Sequence, residues 1–438
     1  NRYCAVKAAV GLNSDSFGRS ELRDYGQWSP LATAGTTSLD QLFPKAVLKA
    51  KAPAVAELFD CLFPPEEQDA DLDVGFRGRP PIGSAVMSRI NLQKQSQGGQ
   101  WQQMLSDIQT AAGGGQSPRI HLFGSVFGGT GASGVPTLGQ LLKNWLKSQN
   151  LNSVDVQASL LLPYFDFEGV ANQETGVHAE SRNFQLNTDA ALQYLAANGK
   201  SCFDRVFLVG SDIKARYNFS IGGVSQKNAA HVVELLAALG VRHPVSASGN
   251  YAHVLSRHDR SCIRWDDLPD SNRVGEGLAR GARFAVAWRN NFSHEISEAQ
   301  KISMATFVSG APWARRFFHP AGASTSRGGR PSIRDQNQIS IQTAIDQYCD
   351  TLLQWFNQIS SNLGTGFKQE MLNPNLLVPS DRFENNLSRI VMGKARPPRK
   401  PNDDTVEAIK VKMDSLSSTR IKHRGMAGLA DCLWNLLG

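Results

Sequence analysis

Residues 122–142 read LFGSVFGGTGASGVPTLGQLL, an apolar run that passes through a cluster of glycines into an amphipathic repeat. Ile120 to Phe123, with Val126 and Phe127, form a run of strand length, too short for a helix. Gly128, Gly129, Thr130, Gly131, Ala132, Ser133 and Gly134 follow, where glycine permits positive φ and lets a ligand approach the backbone closely. Pro136 suits the first turn of a helix, and Leu138, Leu141, Leu142, Trp145 and Leu146 recur at three- and four-residue spacing, which predicts a helix with one buried face. Strand, glycine loop and helix start together aim several backbone N–H groups and the positive helix end at one point, a place suited to a phosphate. The plainer alternative is a tight strand-to-helix turn that holds nothing.

The spacing discriminates between phosphate loops. A Walker loop ends in Gly-Lys-[Ser/Thr], and no lysine follows these glycines until Lys143, which excludes that class. Gly129, Gly131 and Gly134 do fit Gly-x-Gly-x-x-Gly, so an NAD-binding Rossmann oxidoreductase is weighed. It needs an acidic residue about 20 positions on, at the end of the second strand. Asp155 lies near that distance but opens the next apolar run, VDVQASLLL, and Asp166 follows it too late. The dinucleotide reading stands second.

The stretch after that run, LLPYFDFEG at 161–169, carries Pro163, a Phe/Tyr cluster and then Glu168-Gly169. With Gly128 to Gly134 before it, the chain here resembles the tubulin/FtsZ superfamily, whose Gly-Gly-Gly-Thr-Gly-[Ser/Thr]-Gly loop is followed one helix and one strand later by Pro-Phe-x-Phe-Glu-Gly. Both motifs stand in order over roughly residues 118–240, and Phe127 in place of the first glycine makes the chain most similar to divergent bacterial tubulin-like proteins. The resemblance implies an α/β fold: a tubulin/FtsZ-like nucleotide-binding domain, a parallel sheet flanked by helices, with a second α/β domain and a helical C-terminal region. It implies GTP or GDP as cofactor, with Mg admitted beside the phosphates. Gly128 to Gly134 would wrap those phosphates, and Glu168 would accept hydrogen bonds from the ribose in a loop. Asn187 (NFQLNTDAALQYL) and Asn228 (GGVSQKNAAHVVELLAALGV) resemble the Asn-x-Ala-Leu and Gln-Leu-Asn-Ala segments of tubulin and would read the base; each could equally cap a helix. The family's first strand and first glycine loop have no convincing copy in this stretch, and DRVFLVGS intervenes between the two asparagines.

Hydrolysis in the family uses an acid from an Asn-x-Asp-x-x-[Asp/Glu] loop acting on the neighbouring subunit's nucleotide. This chain offers WDDLPDSNRVGEG, with Asp266, Asp267, Asp270 and Glu276 but not that pattern. No catalytic residue is assigned, and binding is expected ahead of turnover. The family implies head-to-tail self-association into filaments. The competing expectation is a non-polymerising nucleotide-sensing scaffold, as in a bacterial defence system.

The 438 residues, 41% hydrophobic, can bury a sizeable core in two or three domains. There is no apolar run near 18 residues and no signal-peptide layout, so neither a membrane span nor export is expected. The six cysteines are isolated and the histidines lack metal spacing, which predicts a reducing cytoplasm and no metal-ligand cluster. The net charge of +7 gathers in SRGGRPSIR (326–334) and GKARPPRKPN (393–402), which lack interleaved aromatics. These read as solvated linkers, and nucleic acid is not the expected partner. The expected domains are 1–242 (nucleotide-binding), 243–334 (second α/β domain) and 335–438, a helical region with the basic linker 393–402, open to another protein partner. Within the first, a short helix spans about 54–63, while QKQSQGGQWQQ (93–103) and AAGGGQSP (111–118) read as loops. GFRGRPPIGS (75–84) reads as a surface loop whose Arg77 or Arg79 could alternatively meet a phosphate or a neighbouring subunit. ISIQTAIDQYCDTLLQWFNQI predicts one amphipathic helix with Ile341, Ala344, Ile345, Tyr348, Leu352, Trp355 and Phe356 on its apolar face, and two more helices follow residue 403.

Overall fold

The structure, a computed structural model, describes every residue outside 1, 12–16, 19, 32–34, 100, 169–178, 212–213, 221–227, 243–250, 256–261, 320–328, 362–367, 378–385, 394–403 and 417–422. The chain divides into two compact units. One spans Asp24–Arg260, and the other gathers Asn1–Arg23, Ser261–Asn362 and Gly366–Gly438.

The first unit is built on a parallel sheet. Its strands are β1 (Arg119–Ser125), β2 (Asp155–Leu161), β4 (Arg205–Val209) and β6 (Ala252–Leu255), in the order β1-β2-β4-β6. A second pair, β3 (Phe165–Glu168) and β5 (Ala215–Asn218), is also parallel. Parallel neighbours need crossovers, and the helices Gly129–Ser148, Phe184–Cys202 and Val232–Leu239 supply the helical part of them. Because side chains alternate along a strand, β2 serves two layers. Val156, Ala158 and Leu160 are fully buried in one core with Leu142, Trp145 and Leu146 of the first crossover helix and Phe203. On the opposite face Phe207 and Val209 of β4 pack with Val233 and Ala237 of the third. DRVFLVGS is thus the strand β4 at the middle of the sheet.

The region before β1 is helical. Pro53–Leu62 matches the expected short helix, with Pro53 at its first position where a missing N–H costs nothing. Of the two stretches expected as loops, 93–103 is largely helix, lying in Leu92–Gly98 and the start of Gln102–Gly113, whereas 111–118 is helical only to Gly113 and irregular beyond it. Glutamine is a good helix former, and buried Leu92 and Leu105, with Trp101, Met104 and Ile108 beside them, anchor both helices to the sheet's core.

In the second unit, Ser271–Ala287 continues through a five-residue π-helical segment, Trp288–Phe292, into Ser293–Ala299. The Gln336–Ser361 helix buries Ile341, Ile345, Cys349, Leu353, Phe356 and Ile359. This is the expected stripe turned by a few tens of degrees, with Ala344, Tyr348, Leu352 and Trp355 half-buried on its flank. The two helices expected after residue 403 are Val406–Ser415 and Gly425–Leu436. Residues 243–334, expected as a second α/β domain, divide between the units. Their strand β6 completes the first sheet, while β7 (Cys262–Ile263) pairs with β8 (Lys368–Gln369) in the helix-rich second unit. The basic linker 393–402 lies outside the described residues from 394 onward.

Candidate functional site

The Gly129–Ser148 helix starts earlier than its sequence suggests. Gly128 is the N-cap, with extended φ −97° and ψ 164°, and the glycines at 129, 131 and 134 are helical. None of them takes positive φ. Gly128 through Ala132 therefore form the cap and first turn, Ser133 and Gly134 open the second, and Pro136 lies inside the helix, correcting its expected first-turn place. Two hydroxyls support the early start: Ser133 Oγ donates to Gly129 O at 2.7 Å, and Thr137 Oγ1 to Ser133 O at 2.8 Å. Having no N–H, Pro136 leaves the carbonyl four residues back without its usual donor.

Packing explains the small residues. A Cβ on Gly131 would meet Ser125 O at 2.2 Å, and one on Gly129 would meet Phe76 O at 2.7 Å and Arg79 N at 2.8 Å. The glycines let the helix start sit directly on the end of β1 and on the 75–79 segment. What remains open is the helix end itself. No side chain caps it, and the first intrahelical bond runs from Ala132 N–H to Gly128 O at 3.2 Å. The N–H groups of Gly129, Thr130 and Gly131 precede that bond and have no intrahelical acceptor. They stand at the C-terminal end of β1, where open parallel sheets place ligands.

The 75–79 segment is the wall that sequence reasoning treated as a surface loop. Phe76 N–H donates to Thr130 Oγ1 at 3.4 Å, and Arg77 (φ +50°) and Gly78 (φ +72°) both turn left-handed. Arg77 Nε holds Asp71 O at 2.8 Å, and Arg79 pairs with Glu67 at 3.3 Å. The legible signal was the Gly-x-x-Gly turn just before Pro80, which opens the Pro80–Met87 helix.

The remaining expected site residues are dispersed. Asn187 lies in the first turn of the Phe184–Cys202 helix rather than at its cap, Asn183. Its side-chain amide donates to Phe127 O at 3.0 Å and Gly78 O at 3.1 Å. Asn228 is exposed and irregular, three residues before His231, which is the actual cap of Val232–Leu239. Glu168 ends β3 opposite Asn218, so the expected ribose loop is a paired strand at 165–168; the Glu168 side chain lies outside the described residues. Asp266, Asp267, Asp270 and Glu276 fall in the second unit. There the Asp267 carboxylate accepts from Arg264 N–H at 2.8 Å, capping a short 3-10 turn.

Behind the loops lies an aromatic layer of Phe127, Tyr164, Phe165 and Phe184, with ring centroids 4.7 to 6.1 Å apart. Tyr164 donates to Glu234 Oε1 at 2.7 Å, and burial together with that carboxylate pushes its phenol far above its usual range. His231 accepts from Val233 N–H through Nδ1 at 3.1 Å. Burial pulls its pKa down to about 4, so near neutral pH the ring is uncharged. The arrangement offers backbone donors and a helix dipole, which suit a polyanion.

Residues 80–251 match the family model described as "Tubulin like". No curated protein and no solved structure matches the chain.

Proposed function

Residues 80–251 of this chain are a tubulin-like domain, and on that premise we propose that the chain binds a guanine nucleotide, GTP or GDP, by its phosphates at the start of the Gly129–Ser148 helix. The observation that carries this reading is the uncapped helix end at the C-terminal edge of a parallel sheet. Its free N–H groups add to a helix dipole worth roughly half a positive charge. The 75–79 segment forms the second wall, and Mg accompanies the phosphates. Glu168 takes the ribose hydroxyls and Asn228 the base edge. With Asp267 of the 266–276 cluster engaged in capping a turn and no family-type acidic loop in the sequence, the reading is of binding without turnover. Head-to-tail association, one copy's nucleotide facing the next copy, is carried over from the family resemblance; such a contact is heterologous and builds filaments when it does not close.

The test is the nucleotide released on denaturing the purified chain, compared with a Gly128→Asp variant. An aspartate at that position is a favoured N-cap; the extended φ of −97° accepts it, and the nearest obstacle to its Cβ is the Ser125 hydroxyl at 3.0 Å. Its carboxylate would satisfy the helix end and repel phosphate, so the variant should fold at least as stably and lose the nucleotide. A wild-type chain that releases none and binds no added GTP would overturn the proposal. Sedimentation with and without GTP tests the assembly separately.

A further inference from the structure

The walls of the phosphate site come from distant parts of the sequence. One is the 126–128 turn after β1, and the other is the 75–79 segment. They touch at Gly129, where only a hydrogen fits between the helix start and the backbone of Phe76 and Arg79. A third element reaches both. From the first turn of the Phe184–Cys202 helix, the Asn187 amide donates to Phe127 O at 3.0 Å and to Gly78 O at 3.1 Å. A primary amide has two N–H donors, and two carbonyls accept from this one. Phe127 immediately precedes the N-cap Gly128, and Gly78 immediately precedes Arg79.

We infer that Asn187 is a positioning residue for the phosphate site, a side-chain amide that sets the distance between its two walls, and that it does not read the base. The inference rests on the nucleotide reading above. Its physical content is preorganisation: the donors at a helix start bind a polyanion best when their spacing is held before the ligand arrives. The left-handed turn at Arg77 and Gly78 orients the Gly78 carbonyl, and the amide secures it. Only a double donor does this. A carboxylate of the same shape would set acceptors against two carbonyl oxygens, and a leucine would leave both carbonyls without a partner.

The two roles separate by ligand. Binding of GTP, ITP, XTP and inorganic tripolyphosphate to the full chain is measured by calorimetry for wild type, Asn187→Asp, Asn187→Leu and Asn187→Gln, well below each variant's melting temperature. Positioning predicts that Asn187→Asp and Asn187→Leu weaken GTP and tripolyphosphate by the same factor, tenfold or more, with the order among the three bases unchanged. Asn187→Gln, which keeps both donors, should recover most of that loss. Two results overturn the inference while leaving the nucleotide site intact. One is wild-type affinity in a folded Asn187→Asp or Asn187→Leu protein that merely melts earlier. The other is an Asn187→Asp protein that holds tripolyphosphate normally and changes the order among GTP, ITP and XTP, as a base-reading side chain would when a donor becomes an acceptor. A wild-type chain that binds neither GTP nor tripolyphosphate instead overturns the reading itself, and the inference with it.

Discussion

Arg283 and Asp404 form an ion pair in the interior of the second unit, each side chain only 1% exposed. Arg283 lies in the Ser271–Ala287 helix and also donates to Leu437 O, while Asp404 precedes the Val406–Ser415 helix. A buried pair contributes little relative to a well-packed apolar replacement, but stranding one partner is costly, about 3–5 kcal/mol. Asp404→Ala should therefore destabilise the second unit by that order, measured by urea unfolding followed through tryptophan fluorescence. An Arg283→Met, Asp404→Leu double variant should lose less than Asp404→Ala alone; if it loses more, the pair contributes net stability.

At the helix start the prediction concerns folding apart from binding. Gly131→Ala places a Cβ 2.2 Å from Ser125 O, a backbone atom that cannot swing aside, so it should cost about 1–3 kcal/mol as overpacking does. Thr130→Ala removes only an exposed hydroxyl holding Phe76 N–H at 3.4 Å and should cost under about 1 kcal/mol. Thermal unfolding of the two single variants tests this. Equal losses would mean that β1 and the helix start do not touch as described.

Stability should fall in mild acid through His231. Its folded pKa is about 4 against an ordinary 6.5. Between those values the unfolded chain takes up a proton that the folded one refuses, so stability drops as pH falls through the window and is flat above it. His121 on β1 is also pulled to about 4, first by burial and then by Arg119, and adds a slope of the same sign. His231→Asn keeps an acceptor for Val233 N–H and removes one titration. It should reduce the pH dependence of the urea midpoint between pH 6.5 and 4, whatever it does to stability at pH 7. An unchanged slope would show that His231 titrates normally.

Tyr164 and Glu234 tie the connection between β2 and β3 to the third crossover helix through a 2.7 Å bond. Glu234 also accepts from His231 N–H at 3.2 Å, closing the capping box. A double-mutant cycle of Tyr164→Phe and Glu234→Ala should give a coupling of about 1 kcal/mol, small because Glu234 is solvent-exposed. Zero coupling would place the phenol's partner elsewhere.

The sequence alone was enough for the order strand, glycine turn, helix, strand between 119 and 161, because hydrophobic periodicity is a local property that the chain cannot hide. It was enough for the tubulin-like resemblance within residues 80–251 as well, since two motifs in register are rarely accidental. It also showed the long amphipathic helix at 336–361. What it could not show was where the glycine helix begins. Gly129 and Gly131 signal a loop by propensity, and only the Ser125 carbonyl and the 75–79 backbone pressed against them make helical glycine the residue that fits. The Gln-rich helix at 92–98 escaped for a related reason: Leu92 is its one buried residue, too little to mark a periodic face, yet tertiary burial suffices to fold it. Asn187 is the clearest case. Its residue type and neighbourhood suggest a cap or a base contact, and its two acceptors lie 60 and 109 positions away. Hydrogen bonds between groups so distant along the chain depend on the fold bringing three segments together, a relation that local sequence does not contain.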